Sequence, residues 1–155
     1  MTAVKSLLFL ILVPGVVVGY IPFVFLQNGP YIQTGFLIYL ALPLWVIGGA
    51  MVLWCFWDFF SKGHGTPAPF DPPKELVEAG LYRYVRNPMY VGVLAMLLAH
   101  FLWFGFWLLL AYAVICFFAF HAVVTLYEEP TLKKKFGKAY KDYLKRVPRW
   151  APRRK

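Results

Sequence analysis

The sequence predicts an all-α membrane protein with about four transmembrane helices, the last two forming a tight hairpin, followed by an amphipathic interfacial helix. Of its 155 residues, 61% are hydrophobic and only 15% are charged, whereas soluble domains carry about 25% charged residues. So little charge cannot cover the surface of a soluble fold of this size, which indicates that lipid covers much of it. The length suits a single membrane domain over residues 1–155.

The first two apolar runs are each long enough to cross a bilayer, which takes about 20 apolar residues. The run over about 6–26 contains no charge. We predict a retained span there, because the run is too long for the apolar part of a signal peptide and no small-residue cleavage site follows it. The second span is predicted over about 32–60, where Gly48 and Gly49 would allow close contact with another helix.

The last apolar block, from Met89 to Tyr127, is too long for one span and is predicted as two, over about 89–104 and 105–127. The stretch from His100 to Gly105 then forms the hairpin tip, because glycine tolerates a tight turn. Four spans place both termini and the polar loop 61–88 on one side. Eleven basic residues and one acid between Lys133 and Lys155 identify that side as cytoplasmic. We expect a multi-pass protein of a prokaryotic cell membrane.

The C-terminal helix and tail over 128–155 are basic and amphipathic. One stripe of the helix is apolar at spacings of three or four residues: Leu132, Phe136, Tyr140, Tyr143 and Val147. Either the helix lies in the membrane interface, or the stripe packs on the polar loop. Because the charge follows directly on apolar spans, we expect membrane lipid and no nucleic acid as its partner. The scattered cysteines and histidines predict no metal site.

Polar chemistry is concentrated in two segments, Lys74 to Tyr90 and the pair Glu128-Glu129. The hairpin joins these segments, so both are predicted at the same membrane boundary, where charged side chains need partners or a ligand. One interpretation is structural, with Arg83 and Arg86 paired with the two glutamates. The other is a binding site.

The stretch from Leu76 to Tyr90, LVEAGLYRYVRNPMY, resembles the signature of the isoprenylcysteine carboxyl methyltransferases and related phospholipid methyltransferases. The pattern of that family is Leu-Val, Gly-x-Tyr and Arg-His-Pro-x-Tyr, then a hairpin, Glu-Glu, Phe-Gly-x-x-Tyr-x-x-Tyr and Val-Pro. The later pieces recur here as Glu128-Glu129, the run from Phe136 to Tyr143, and Val147-Pro148. The resemblance covers about half of the chain.

This resemblance implies S-adenosylmethionine as the cofactor, and the sequence contains no strand–GxGxxG–helix unit of the dinucleotide-binding type. Carried over by position, the cofactor-binding residues are Glu75, Leu76, Val77, Tyr82, Asn87, Pro88, Met89, Tyr90 and Glu128. A carboxylate suits the ammonium or ribose of the cofactor, and tyrosines suit its adenine or sulfonium. His121 and Glu129 are the candidates for binding the acceptor. No catalytic residue is assigned, because alignment of the reactants supplies most of the catalysis.

The sequence departs from the family pattern in two places. Asn87 stands where the family has histidine; it can still form hydrogen bonds to the cofactor but cannot carry a charge or transfer a proton. Prenylcysteine-specific members carry an arginine just before the glutamate pair, whereas Ala122 to Tyr127 contains no cation. We therefore expect methyl transfer to a lipid-like or isoprenylcysteine-type acceptor at the cytoplasmic face. The alternatives are an NADPH-dependent reductase of the steroid-reductase type, for which Lys62 and Lys74 supply few cations, and a non-enzymatic membrane protein.

Overall fold

The computed structural model describes residues 14–26, 29–59, 61 and 75–152. Residues 6–13 of the first predicted span, residues 62–74 of the predicted loop and residues 153–155 of the tail lie outside the described residues, as do Gln27 and Asn28. Apart from one isolated bridge between Tyr31 and Phe106, the described residues form helices and their connections. The all-α prediction is confirmed.

The described α-helices are numbered in chain order. They are α1 (Ile21–Leu26), α2 (Ala41–Asp58), α3 (Pro88–Phe104), α4 (Trp107–Val123) and α5 (Glu129–Arg146). Two π-helices, Gly15–Tyr20 and Val124–Glu128, precede α1 and α5, and two 3-10 helices, Gly35–Leu40 and Gly80–Arg83, precede α2 and α3. The second of these 3-10 helices lies in the polar loop.

The two longest apolar helices are mostly exposed on the surface of the protein. Gly35–Asp58 and Trp107–Arg146 are long and apolar enough to cross a membrane, and only 17% of the most apolar part of each is buried. The core helix of a soluble protein would be buried on most sides, so this exposure indicates contact with lipid. Gly15–Val24 and Pro88–Phe104 are shorter apolar helices, and four spans remain a prediction.

The tip of the α3–α4 hairpin lies where the sequence predicts it. Gly105 follows α3 in the left-handed conformation, with φ of 74°. A Cβ at this position would overlap the backbone oxygen of Ile32. The Ile32 N–H donates to the Gly105 carbonyl at 2.8 Å, and the Trp107 N–H donates to that of Pro30 at 3.3 Å. The segment before α2 therefore clamps the hairpin tip.

Helices α2 and α3 approach each other through glycine. A Cβ on Gly48 would lie 2.6 Å from the carbonyl oxygen of Gly92, and a Cβ on Gly92 would lie 2.7 Å from that of Gly48. The close contact predicted for Gly48 is confirmed, whereas a Cβ on Gly49 would meet open space. This packing holds the end of α2, at Asp58, beside Gly80 of the loop.

Helical structure continues from Trp107 through Pro130 into α5, so the fourth predicted span and the amphipathic helix join directly. A proline ring crowds the carbonyl four residues before it. The wider π turn of Val124–Glu128 relieves this conflict at Pro130. The chain changes direction instead at Gly137, whose φ of 54° and ψ of −120° are not helical.

Beyond Gly137 the apolar stripe packs on the polar loop. Tyr140, Tyr143 and Val147 are buried, with Leu76 among the residues packed against them. The Tyr143 hydroxyl donates to the backbone carbonyl of Tyr82 at 2.7 Å. Part of the stripe therefore packs on the loop.

Candidate functional site

The segments predicted to carry the chemistry meet at one end of the hairpin, here named the loop end. Asn87 and Pro88 begin α3, and Glu128 and Glu129 lie where α4 passes into α5. Residues 147–150, named the C-terminal strap, close this end. The Arg86 N–H donates to the strap carbonyl of Pro148 at 2.9 Å, and Asn87 Nδ2 donates to that of Arg149 at 3.2 Å.

Glu128 lies beside two aromatic rings. It accepts a hydrogen bond from the Tyr90 hydroxyl, and the Tyr90 ring stacks on Phe120 with centroids 4.6 Å apart. Glu128 lies just beyond the apolar part of α4, and its burial raises the pKa of the carboxyl. The hydrogen bond from Tyr90 lowers that pKa and the nearby charge of Glu129 raises it. A carboxylate held in such surroundings favours a cationic partner.

Glu129 is bound by two arginines. Arg86 Nη1 donates to Glu129 Oε1 at 3.0 Å, Arg149 Nε donates to the same oxygen at 2.8 Å, and Arg149 Nη2 donates to Oε2 at 3.2 Å. The predicted ion pairing thus occurs between Arg86 and Glu129, whereas Arg83 is exposed. Because Glu129 is only 6% exposed, this cluster is part of the protein interior.

The Leu-Val and Gly-x-Tyr pieces of the loop pack against the end of α2. Val77 and Tyr82 are buried together with Cys55. A Cβ on Gly80, whose φ is 56°, would overlap Asp58 Oδ2, so glycine is what allows the loop to lie on α2. Burial raises the pKa of the Tyr82 hydroxyl well above its usual value, which keeps this group neutral.

The structure brings some of the predicted cofactor residues together. Asn87, Tyr90 and Glu128 lie at the loop end around the start of α3. Of the others, Pro88 is buried and Met89 half-buried in the first turn of α3, and Glu75 is exposed. Val77 and Tyr82 pack with Cys55, and Leu76 packs with the tyrosines of α5. Three of the nine predicted cofactor-binding residues, Asn87, Tyr90 and Glu128, therefore lie together at the loop end.

Both predicted acceptor residues already have partners inside the protein. Glu129 is held by the two arginines, and His121 Nδ1 accepts a hydrogen bond from Trp150 Nε1 at 3.2 Å. Trp150 also packs on Phe117, with ring centroids 5.4 Å apart. Sequence reasoning missed Arg149 and Trp150, although they directly follow the Val147-Pro148 piece of the family pattern. No cluster of three or more potential metal ligands occurs within the described part of the chain.

Comparison with known proteins identifies the family of the chain. No curated protein and no solved structure matches the chain. Residues 36–139, however, match the family model of phospholipid methyltransferases. The matched range includes α2, the loop, the hairpin and both glutamates, and it covers more than half of the chain. The resemblance in the loop is thereby confirmed, and the chain belongs to the phospholipid methyltransferase family of membrane methyltransferases.

Proposed function

We propose that the protein transfers a methyl group from S-adenosylmethionine to a lipid-like acceptor at the cytoplasmic membrane boundary. The observation that carries this proposal is the hydrogen bond at the loop end from Tyr90, whose ring stacks on Phe120, to the half-buried Glu128 carboxylate. Four spans with both termini in the cytoplasm of a prokaryotic cell belong to the same proposal. The lysine-rich α5, which follows directly on the fourth predicted span, supports this orientation by the positive-inside rule.

The residues at the loop end fit the proposed cofactor chemically. When bound, S-adenosylmethionine supplies an activated methyl group on a sulfonium. The Glu128 carboxylate suits a cationic group, and the faces of Tyr90 and Phe120 suit either a cation or an adenine ring. The amide of Asn87 both donates and accepts hydrogen bonds. These groups are compatible with the charge and the aromatic part of the cofactor.

The contribution of the chain to catalysis is positioning. Glu128 and Tyr90 would hold the methyl donor in one orientation, which is the main requirement for methyl transfer to an acceptor. Phe120 and the buried start of α3 keep water away from the reacting atoms. A thiolate or carboxylate acceptor needs no base. For an amine acceptor Glu129 is the candidate base. Its carboxylate would then bind the acceptor as well as Arg86 and Arg149.

Titration of the purified protein with S-adenosylhomocysteine and with NADPH tests the proposal. We expect binding of S-adenosylhomocysteine alone. Glu128→Ala should weaken this binding about 10- to 100-fold, because a hydrogen bond to a charged group contributes about 1.5–3 kcal/mol. Tyr90→Ala should weaken it as well.

The matched control is Glu78→Ala, which removes a carboxylate that pairs with the exposed Arg146 at 2.8 Å. We expect wild-type affinity for S-adenosylhomocysteine in this control. Unchanged affinity in both Glu128→Ala and Tyr90→Ala, or binding of NADPH alone, would contradict the proposed function.

A further inference from the structure

The C-terminal strap lies on residues that the sequence predicts for ligand binding. The Arg149 carbonyl accepts a hydrogen bond from Asn87 Nδ2 at 3.2 Å, and the Arg149 guanidinium binds Glu129 through Nε at 2.8 Å. Trp150 Nε1 donates to His121 Nδ1 at 3.2 Å. Asn87 is a predicted cofactor residue, and Glu129 and His121 are the predicted acceptor residues. These partners of the strap are thus candidate ligand residues.

Two of these partners are buried where the strap crosses them. Asn87 is 9% exposed and Glu129 is 6% exposed. Arg149 bonds to both, through its backbone carbonyl on Asn87 and through its guanidinium on Glu129. Because Asn87 and Glu129 are enclosed in this way, a ligand gains access to them when the strap moves aside.

The strap can move without unpacking the helix before it. Val147, the first residue of the strap, is buried with Tyr143 in the apolar cluster against the loop, and it serves as the pivot. Beyond this pivot Arg149 and Trp150 are half-buried and are attached by the hydrogen bonds described above and by the contact of Trp150 with Phe117. Water can replace hydrogen-bond partners as they separate. Segments with few buried apolar contacts open locally at a low free energy.

We propose that the strap is a gate over the methyl transfer site, closed by Arg149 on Glu129 and by Trp150 on His121, which opens to admit and release the ligands. This step rests on the proposed function, which makes Asn87 and Glu129 ligand residues. Once a ligand is inside, the same contacts close again and keep water from the site. A gate that closes equally well with and without ligand slows association and dissociation by the same factor and leaves the affinity unchanged.

Thiol labelling measures the opening of the gate without any ligand. Asn87→Cys places a thiol under the strap, and iodoacetamide, which is small and uncharged, should label this thiol when the strap opens. The native cysteines are buried, and protein without the new thiol gives the background. Adding Arg149→Gln should speed labelling about ten-fold or more, because charge-assisted hydrogen bonds to Glu129 are lost. Adding Trp150→Phe, which removes only the bond to His121, should speed it about three-fold.

Each gate variant has a matched control. Arg83→Gln removes the same charge from an exposed arginine of the loop, and Trp45→Phe removes the equivalent bond to His100 near the hairpin tip. Both controls should leave the labelling rate of Asn87→Cys unchanged. Equal rates in Arg149→Gln and Arg83→Gln would overturn the proposal. If Arg149→Gln does not fold, Trp150→Phe against Trp45→Phe decides: faster labelling in Trp150→Phe supports the gate, and equal rates contradict it.

The exchange of S-adenosylhomocysteine, measured with Asn87 intact, connects the opening to ligand passage. Arg149→Gln should raise the association and dissociation rate constants together, each about ten-fold, with the Kd unchanged. If labelling accelerates but neither rate constant changes, the strap is a structural brace and the proposal is overturned. Faster dissociation alone would make Arg149 a ligand contact and would also overturn it.

The two measurements separate the gate from the proposed function. If the wild type does not bind S-adenosylhomocysteine, the proposed function fails. The labelling rates then decide by themselves whether the strap closes the loop end. Acceleration in Arg149→Gln but not in Arg83→Gln supports the gate, and equal rates contradict it.

Discussion

The two ends of the α3–α4 hairpin are stabilised by different kinds of contact. At the tip, neutral groups form hydrogen bonds with one another. The Ile32 N–H donates to the Gly105 carbonyl at 2.8 Å, and the Thr34 hydroxyl donates to the Leu102 carbonyl at 2.7 Å. At the loop end, the bonds join ionisable side chains around Glu128 and Glu129. The tip is held by neutral groups, whereas the loop end collects ionisable groups and leaves Arg86 Nε without a hydrogen-bond partner among the described residues.

A tryptophan–histidine pair occurs at both ends, which sharpens this comparison. Trp45 Nε1 lies 3.2 Å from His100 Nδ1 near the tip, and Trp150 Nε1 lies 3.2 Å from His121 Nδ1 at the loop end. The pairs differ mainly in their neighbours, since Trp150 adjoins Arg149 and Trp45 packs on Trp103. Because the same pair occurs at both ends, the pairing by itself gives no reason to assign acceptor binding to His121. What distinguishes His121 is the charged residue next to its tryptophan partner.

The largest expected difference between the two ends is the side of the membrane on which each lies. Single cysteines introduced at Lys138 and at Tyr31 report on the loop end and the tip, because both residues are exposed. An impermeant thiol reagent added to intact cells should label Tyr31→Cys and leave Lys138→Cys unlabelled. The native cysteines are buried and provide the background. The opposite labelling pattern would reverse the proposed orientation.

The next largest effect is expected from removal of the shared carboxylate at the loop end. Glu129→Ala leaves Arg86 and Arg149 without their partner, and we expect the free energy of unfolding to fall by about 3 kcal/mol. The control, Asp142→Ala, removes a half-exposed partner of Lys145 at 3.6 Å and should cost less than about 0.5 kcal/mol. Unfolding in mixed detergent micelles, followed by circular dichroism, measures both. Equal losses would show that the cluster contributes no more than a surface ion pair.

A smaller effect, confined to stability, is expected at the tip. Gly105→Ala combines a left-handed backbone with overlap on the Ile32 oxygen, so the free energy of unfolding should fall by about 2–3 kcal/mol. Gly35→Ala has a similar φ of 56° but open space around its Cβ, and strain alone should cost about 1 kcal/mol. Both variants should bind S-adenosylhomocysteine as the wild type does. Weakened binding in Gly105→Ala would show that the two ends are coupled.

Local patterns predicted the helices, the turn at Gly105 and the meeting of Tyr90 with Glu128, because each depends on apolar length, one glycine or an ordered motif. The continuity of the helix through Pro130 could not be predicted in this way. Proline normally ends an α-helix, and only the widened turn of the π-helix removes that restriction. Arg149 and Trp150 follow the kink at Gly137, whose backbone angles no periodic pattern encodes.

The position of the strap in the chain has a consequence for biogenesis. A ribosome synthesises Arg86 and Glu129 before it reaches Arg149, so the glutamate first meets one arginine, and the second joins only after the described apolar helices have been made. The contacts of the strap with Arg86, Asn87 and His121 can form only after all the described apolar helices have been synthesised. Closure of the loop end by the strap is thus a late event in the biogenesis of the described fold.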